Sequence, residues 1–482
     1  MKVESHSFCI IGAGMSGLLM GIRLQQAGYS NFTILEKAPS LGGTWRDNTY
    51  PGVACDVPAY YYSYSFRQNP DWSRKFAPGA EILNYFEQVA QEYNLLPHIE
   101  FNKTATRASF DGSRWHIETG DGGNYTADFV IAACGILHQP VLPDIPGLKD
   151  FQGPCFHTAR WDHSVELTEK RIGVIGNGST GVQMMAPLSE QATNVVLFQR
   201  TAQWIMPVSD KVYTALNKFC RRWIPGLARL QYYLHKRVFE SFSELVLKDG
   251  WQRRTVRKLT RRNLDQVEDA TLRQQLTPDY EPGCKRLVMS NQFYPVMQRE
   301  NVTLVTSDIE CIEAGGVRTS DGTLHELDIL VLATGFNPQA FVRPMELVNE
   351  RGETLTSAWQ QRVQAYRTVA LPDFSNFFML LGPNSPVGNF SVIAAAESQS
   401  NYILQCVREK IRAGAQAIAP SNAATEAFNT TLIDAMQGSI WLTGCQSWYL
   451  DADGNPVTWP WTPQRFFDDL KRPDFSDFRL SN

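Results

Sequence analysis

Two stretches of this chain share one pattern, and few folds accommodate it. The first, FCIIGAGMSGLLMGI, starts at Phe8 and carries Gly12, Gly14 and Gly17 in a G-x-G-x-x-G loop. The second, RIGVIGNGSTGVQMMA, starts at Arg171 and carries Gly176, Gly178, Ser179, Thr180 and Gly181. Each loop follows a short apolar run that reads as a buried strand and precedes a helix-like run. The first glycine permits a tight turn, the second lets backbone approach a pyrophosphate, and the third lets helix and strand pack closely. The helix N-terminus then faces the phosphates. The expected fold class is α/β, with two Rossmann-like dinucleotide-binding domains and a helical insertion.

One position tells the two sites apart. After the first unit the strand Phe32–Leu35 ends in Glu36, whose carboxylate accepts from ribose hydroxyls and repels a 2′-phosphate. After the second, the strand Asn194–Phe198 leads into Gln199, Arg200 and Thr201. The guanidinium fork of Arg200, helped by the Thr201 hydroxyl, suits a 2′-phosphate; a solvated arginine at a strand end is the plainer alternative. Two nucleotides in one chain imply a flavin that the other reduces, so FAD and NADPH are the expected cofactors. In LGGTWRDNTYPGVACD, residues 41–56, Gly43 again permits close backbone approach, while Thr44 and Trp45 are candidates to touch the ring or ribityl chain. Runs at 128–135, 327–336 and 377–386 read as further sheet strands. The expected division places a FAD domain at 1–140 and 376–482, the latter including a C-terminal loop. The linker and NADPH domain take 141–206 and 284–375, and the helical insertion takes 207–283.

Composition narrows the partners. A chain of 482 residues exceeds one ordinary core. Its net charge of −4 gives no reason to expect nucleic acid. Nine cysteines without a C-x-x-C pair fit a reducing cytoplasm and remove the zinc spacings and redox dithiol of a disulfide reductase. Eight histidines without paired carboxylate spacing argue against a metal site. No run is long enough to span a membrane.

GAGMSG, GGTW, YPGVACD, GNGSTG, FQGPCFHTARWD and LATGF, in this order, resemble the class B flavoprotein monooxygenases. Among these the closest likeness is to type I Baeyer–Villiger monooxygenases, specific to about residue 340 and looser through GPNSP and SWYLDADG. That family is identified by F-x-G-x-x-x-H-x-x-x-W followed by Pro or Asp, matched here by Phe151, Gly153, His157, Trp161 and Asp162. The resemblance implies that NADPH reduces FAD, that the flavin adds O2 at C4a, and that the deprotonated peroxide attacks a ketone to give an ester or lactone. It further implies that Lys285 assists 2′-phosphate recognition, and that Arg286 sits beside the flavin, paired with Asp56, and stabilises the peroxide. A buried interdomain salt bridge without chemistry is the competing reading of that pair. His157 reads as a conformational anchor of the hinge between domains, not as an acid or base.

The near alternative is a flavin-containing monooxygenase oxidising nitrogen or sulfur of small lipophilic substrates; a non-catalytic NADPH-responsive binding protein is the distant one. The insertion between residues 207 and 283 is helical in spacing and rich in Lys and Arg, with Leu227, Leu230, Tyr233 and Leu234 in register. It reads either as a substrate-cleft cap whose basic surface contacts a membrane weakly, or as amphipathic helices with a solvated basic face. Trp448, in the aromatic tail, is a candidate active-site contact, and a static core patch explains that tail equally well.

Overall fold

The structure, a computed structural model, describes residues 6–244, 247–388, 390–445, 447–451 and 453–481. Along the chain, β1 (Phe8–Ile11), α1 (Met15–Gln26), β2 (Phe32–Leu35), β3 (Ile99–Glu100) and β4 (Phe129–Ala132) build the first dinucleotide unit. The second comprises β5 (Cys155–His157), β6 (Arg171–Ile175), α2 (Ser179–Ser189) and β7 (Asn194–Phe198). Three helices follow: α3 (Ala215–Trp223), α4 (Leu227–Ser243) and α5 (Trp251–Leu264). The chain then completes the second unit with β8 (Val302–Val305) and β9 (Ile329–Leu332), and returns to the first with β10 (Phe377–Met379) and α6 (Val392–Ala413).

The result is two parallel sheets of five strands, ordered β10-β4-β1-β2-β3 and β8-β7-β6-β9-β5. Strands such as FCII, FVIA and ILVL are buried at every position, as expected for sheets covered on both faces. In each sheet the glycine loop leaves the first strand where the strand order reverses, so the crevice at the carboxyl ends of the strands opens there. An antiparallel meander accompanies each sheet: residues 105–127 in the first, extended by Glu346–Val348 in parallel, and residues 309–326 in the second.

The chain crosses between the units twice, and the crossings lie side by side. The Val141 N–H donates to the Gly335 carbonyl at 2.9 Å, and the Asn337 N–H donates to that of Gln139 at 2.9 Å. The Thr334 hydroxyl also donates to the Val141 carbonyl. FQGPCFHTARWD, which reads as a connection, holds a three-residue edge strand at its centre. Cys155, Phe156 and His157 pair in parallel register with Leu330, Val331 and Leu332. A Cβ on Gly153 would stand 2.3 Å from the Asp328 carbonyl oxygen, so only glycine lets the strand enter there.

Of the nine cysteines, Cys284 and Cys445 are joined as a disulfide across 161 residues. Local spacing cannot reveal that link, and the reading of the cysteines as thiols of a reducing compartment did not include it. No helix among the described residues is long and apolar enough to cross a membrane.

Gly153→Ala is expected to cost about 1–3 kcal/mol through steric displacement of β5, seen as a lower melting temperature of the whole chain.

Candidate active site

The first loop is a cradle made of backbone. Gly12 adopts φ +106° with its Cβ position 2.7 Å from the Ala133 carbonyl oxygen, and a Cβ on Gly17 would lie 1.8 Å from the Gly12 carbonyl oxygen. Gly14 and Gly43 face each other across the cleft, each Cβ position meeting the other's Cα at 3.7 and 3.2 Å. The N-terminus of α1 has no side-chain cap and no acidic residue in its first turn, so its N–H groups are left for an anion. Glu36 is buried; Oε2 accepts from the Ala13 N–H at 2.8 Å, and Oε1 accepts from the Ala38 N–H and Arg46 at 3.0 Å each. With two acceptor positions per oxygen, Oε2 retains one beside the turn. These features fit the adenosine half of a dinucleotide. Thr44 opens the short helix Thr44–Asp47 at the rim of this cleft. Trp45 is buried, its indole N–H donating to Tyr62 at 3.2 Å, which makes it part of the wall.

The second loop repeats the geometry. The Cβ position of Gly176 (φ +105°) lies 2.5 Å from the Ala333 carbonyl oxygen, and that of Gly181 lies 2.1 Å from the Gly176 carbonyl oxygen. Gly178 has open space where its side chain would be. Ser179 and Thr180 start α2, whose N-cap, Gly178, again makes no side-chain bond. The amide of Asn177 donates to the Gln199 side chain at 2.8 Å and to the Thr201 carbonyl at 2.9 Å, tying the loop to the end of β7. Arg200 is exposed there and Thr201 is half-buried. Lys285 faces the same place: burial lowers its pKa, the Arg200 charge lowers it further, and Asp279 opposes both. Neither Arg200 nor Lys285 makes a salt bridge among the described residues. Lys285 Nζ lies over the Tyr280 ring at 4.8 Å, and two cations at one rim favour an anion.

One residue further on, Arg286 turns to the other site. Its Nη2 and Nε donate to the same Asp56 oxygen, Oδ2, at 2.6 and 3.1 Å. Burial alone would lower the Arg286 pKa; the Asp56 carboxylate, followed by Tyr449, reverses this and raises it above its ordinary value. Tyr449 is buried, and burial raises its phenol to about 12, with Arg286 opposing and Asp56 reinforcing. Gly388 (φ +89°) lies between them: a Cβ there would meet the Tyr449 hydroxyl at 2.2 Å and Arg286 Nη1 at 3.3 Å. Sequence reasoning missed Tyr449 and Gly388, although it singled out Trp448 next door. Trp448 stacks on Tyr449 at 4.6 Å, and both line a cavity with Ile136, Leu381 and Asn384. The tail divides between its two readings, because Trp441 and Trp459 are buried in core clusters.

His157 is buried and doubly bonded. Its Nδ1 accepts from the Ala159 N–H at 3.0 Å, so Nε2 carries the proton donated to the Gly335 carbonyl at 3.1 Å. Burial keeps the ring neutral by lowering its pKa from 6.5. The ring therefore fixes the edge strand to the crossing at residue 335. Phe151 is buried in the second unit's core, and Trp161 packs edge-on against Phe156 at 5.0 Å. The exposed Asp162 caps a turn by accepting from the Ser164 N–H and hydroxyl at 2.9 and 2.6 Å.

Comparison with known proteins matches this architecture. The Flavin-binding monooxygenase-like family matches residues 5–419. An uncharacterized monooxygenase of Mycobacterium tuberculosis is 48% identical over 465 residues, covering 96% of this chain and 94% of the relative. A Baeyer–Villiger monooxygenase of Streptomyces coelicolor is 37% identical over 486 residues, covering 99% and 93%. Among solved structures, an oxidized steroid monooxygenase bound to NADP aligns with a TM-score of 0.88 at 27% identity, over 99% of each chain.

Arg200→Ala is expected to weaken NADPH binding about 10–100-fold, as loss of a charge-assisted contact does, while NADH binding stays unchanged; KM values for the two nucleotides check this. A second expectation concerns pH. The unfolded chain takes up a proton at His157 as pH falls through 6.5, whereas the folded chain takes it up only at lower pH. Stability is therefore unaffected above that window and falls with acidification inside it. Denaturant titrations at several pH values should give a shallower fall for His157→Gln than for the parent.

Proposed function

We propose that this chain, which belongs to the Flavin-binding monooxygenase-like family, binds FAD and NADPH and uses O2 to convert ketones into esters or lactones. The observation that carries this reading is the splitting of two neighbouring cations. Lys285 lies over Tyr280 at 4.8 Å with its charge near Arg200 and Asp279, while Arg286 joins Asp56, Tyr449 and Gly388 beside the first unit.

In this reading Gly12, Gly14, Gly17, Glu36 and Gly43 hold FAD, and Gly176, Gly178, Gly181, Ser179, Thr180, Arg200, Thr201 and Lys285 hold NADPH. FAD, once reduced by NADPH, supplies the activation of O2. The residues supply placement and charge. Inserting oxygen beside a carbonyl builds negative charge on oxygen, and a guanidinium stabilises that charge without releasing a proton. Asp56 engages Nε and Nη2, so Nη1 remains on the Gly388 side as the donor that can reach reacting oxygen. Because both bonds go to one carboxylate oxygen, the Arg side chain can pivot while keeping its partner. Tyr449 and Trp448 close the other side and exclude water, which strengthens the field of the cation.

Incubation with NADPH, a ketone panel and ¹⁸O2 tests the reading. Labelled ester or lactone is expected, and labelled N- or S-oxides alone would overturn it. Arg286→Ala is expected to lower ester formation by about 100–1,000-fold or more while retaining FAD, and Arg286→Lys should not restore it because an ammonium lacks the planar fork.

A further inference from the structure

The insertion carries an unusual surface. Between residues 211 and 243, which hold α3 and α4, seven Lys and Arg stand against one Glu, a balance of +6 in a chain whose formal net charge is −4. Ten of the 16 exposed large apolar side chains among the described residues lie between Val212 and Trp251. The coincidence of both features on one short segment calls for a physical cause, because apolar side chains left in water forgo the stabilisation of burial.

The helices show how the segment is oriented. On α4, Ala228, Tyr232, His235 and Phe239 recur at helical spacing and face the protein. Tyr232 and Phe239 pack against Tyr61, with ring centroids 5.7 and 6.3 Å away, and His235 stacks on Tyr60 at 6.3 Å. That inward stripe accounts for the attachment of the helix. A second apolar stripe, Leu230, Leu234 and Val238, runs along the opposite side and is more than half exposed throughout. On α3, where no residue is buried, Leu216, Phe219 and Trp223 form a matching stripe at i, i+3 and i+7. These six side chains are 55–68% exposed. Exposed Lys211, Arg222, Arg229 and Arg237 lie among them.

We propose that the outward faces of α3 and α4 seat the protein on an anionic phospholipid surface. Apolar stripes including Trp, Phe and Leu, rimmed by Lys and Arg, are what a helix lying in the headgroup region requires. The positive balance supplies attraction to negatively charged lipid within a Debye length. The helices lie on the bilayer and do not cross it: α4 has only 17 residues, with Arg229, Lys236 and Arg237 inside it. A second copy of the chain is a poorer occupant, because a two-fold contact through this face would set one basic rim against its own image.

The test is sedimentation of the full-length holoenzyme with vesicles of phosphatidylcholine alone or mixed with phosphatidylglycerol. The parent should sediment with the mixed vesicles, less with neutral ones, and less again as salt is raised. The variants Phe219→Ser/Trp223→Ser and Leu230→Ser/Leu234→Ser should bind the mixed vesicles about tenfold more weakly. Their melting temperatures should match the parent, since the replaced side chains touch solvent. Equal binding by parent and variants, or no binding of the parent to mixed vesicles, would overturn the proposal. So would sedimentation velocity showing that this face instead joins two copies. None of these readouts depends on turnover, so they stand or fall separately from the proposed oxygenation.

Discussion

A carbonyl oxygen occupies the space where a side chain on Gly17 would begin, 1.8 Å from its Cβ position, and the same holds at 2.1 Å for Gly181. These two contacts set how closely α1 and α2 approach their sheets. They also aim the uncapped helix ends at the crevices, where bare N–H groups meet phosphate. The remaining geometry follows from them. Ala133 and Ala333, just past β4 and β9, close behind Gly12 and Gly176 in the same way, so the second glycine loop repeats the geometry of the first. The chemistry that differs between the units sits at the next strand ends, Glu36 and Arg200.

Between those two binding sites the chain places its cations with economy. Lys285 and Arg286 are adjacent in sequence but have different partners: Lys285 lies over the Tyr280 ring near the charges of Asp279 and Arg200, and Arg286 binds Asp56. A single short segment thus reports to both crevices. Its neighbour Cys284 is tied to Cys445, which precedes the Trp448–Tyr449 pair. The arginine, its carboxylate partner and the aromatic wall therefore come from three distant parts of the sequence but share one covalent and polar frame.

Much of this was legible beforehand, and the reasons are physical. Gly12, Gly17, Gly176 and Gly181 were readable because only glycine tolerates those approaches, and the spacing of three such demands is distinctive. Glu36 and Arg200 stood out because each is a charged residue just past a strand end beside a glycine loop. Asp56 with Arg286 came from the family likeness; their 230-residue separation leaves no local trace. The same holds for Cys284 with Cys445. Tyr449 and Gly388 escaped because their contact is made in space by two loops without periodicity. His157 is held by two hydrogen bonds, but the strand it belongs to was not legible, since a three-residue edge strand holding Cys, Phe and His looks like any loop.

The paired crossings at residues 139–141 and 334–337 carry a mechanical consequence. One covalent thread between two bodies leaves rotation about every axis. Two threads hydrogen-bonded side by side resist twisting and sliding, and the Cys284–Cys445 bond adds a further covalent link between the units. His157, clamped to Gly335, stiffens one end of that joint. The spacing of the two crevices is therefore set by covalent links at separate points, and a group held in one meets the other from a fixed side.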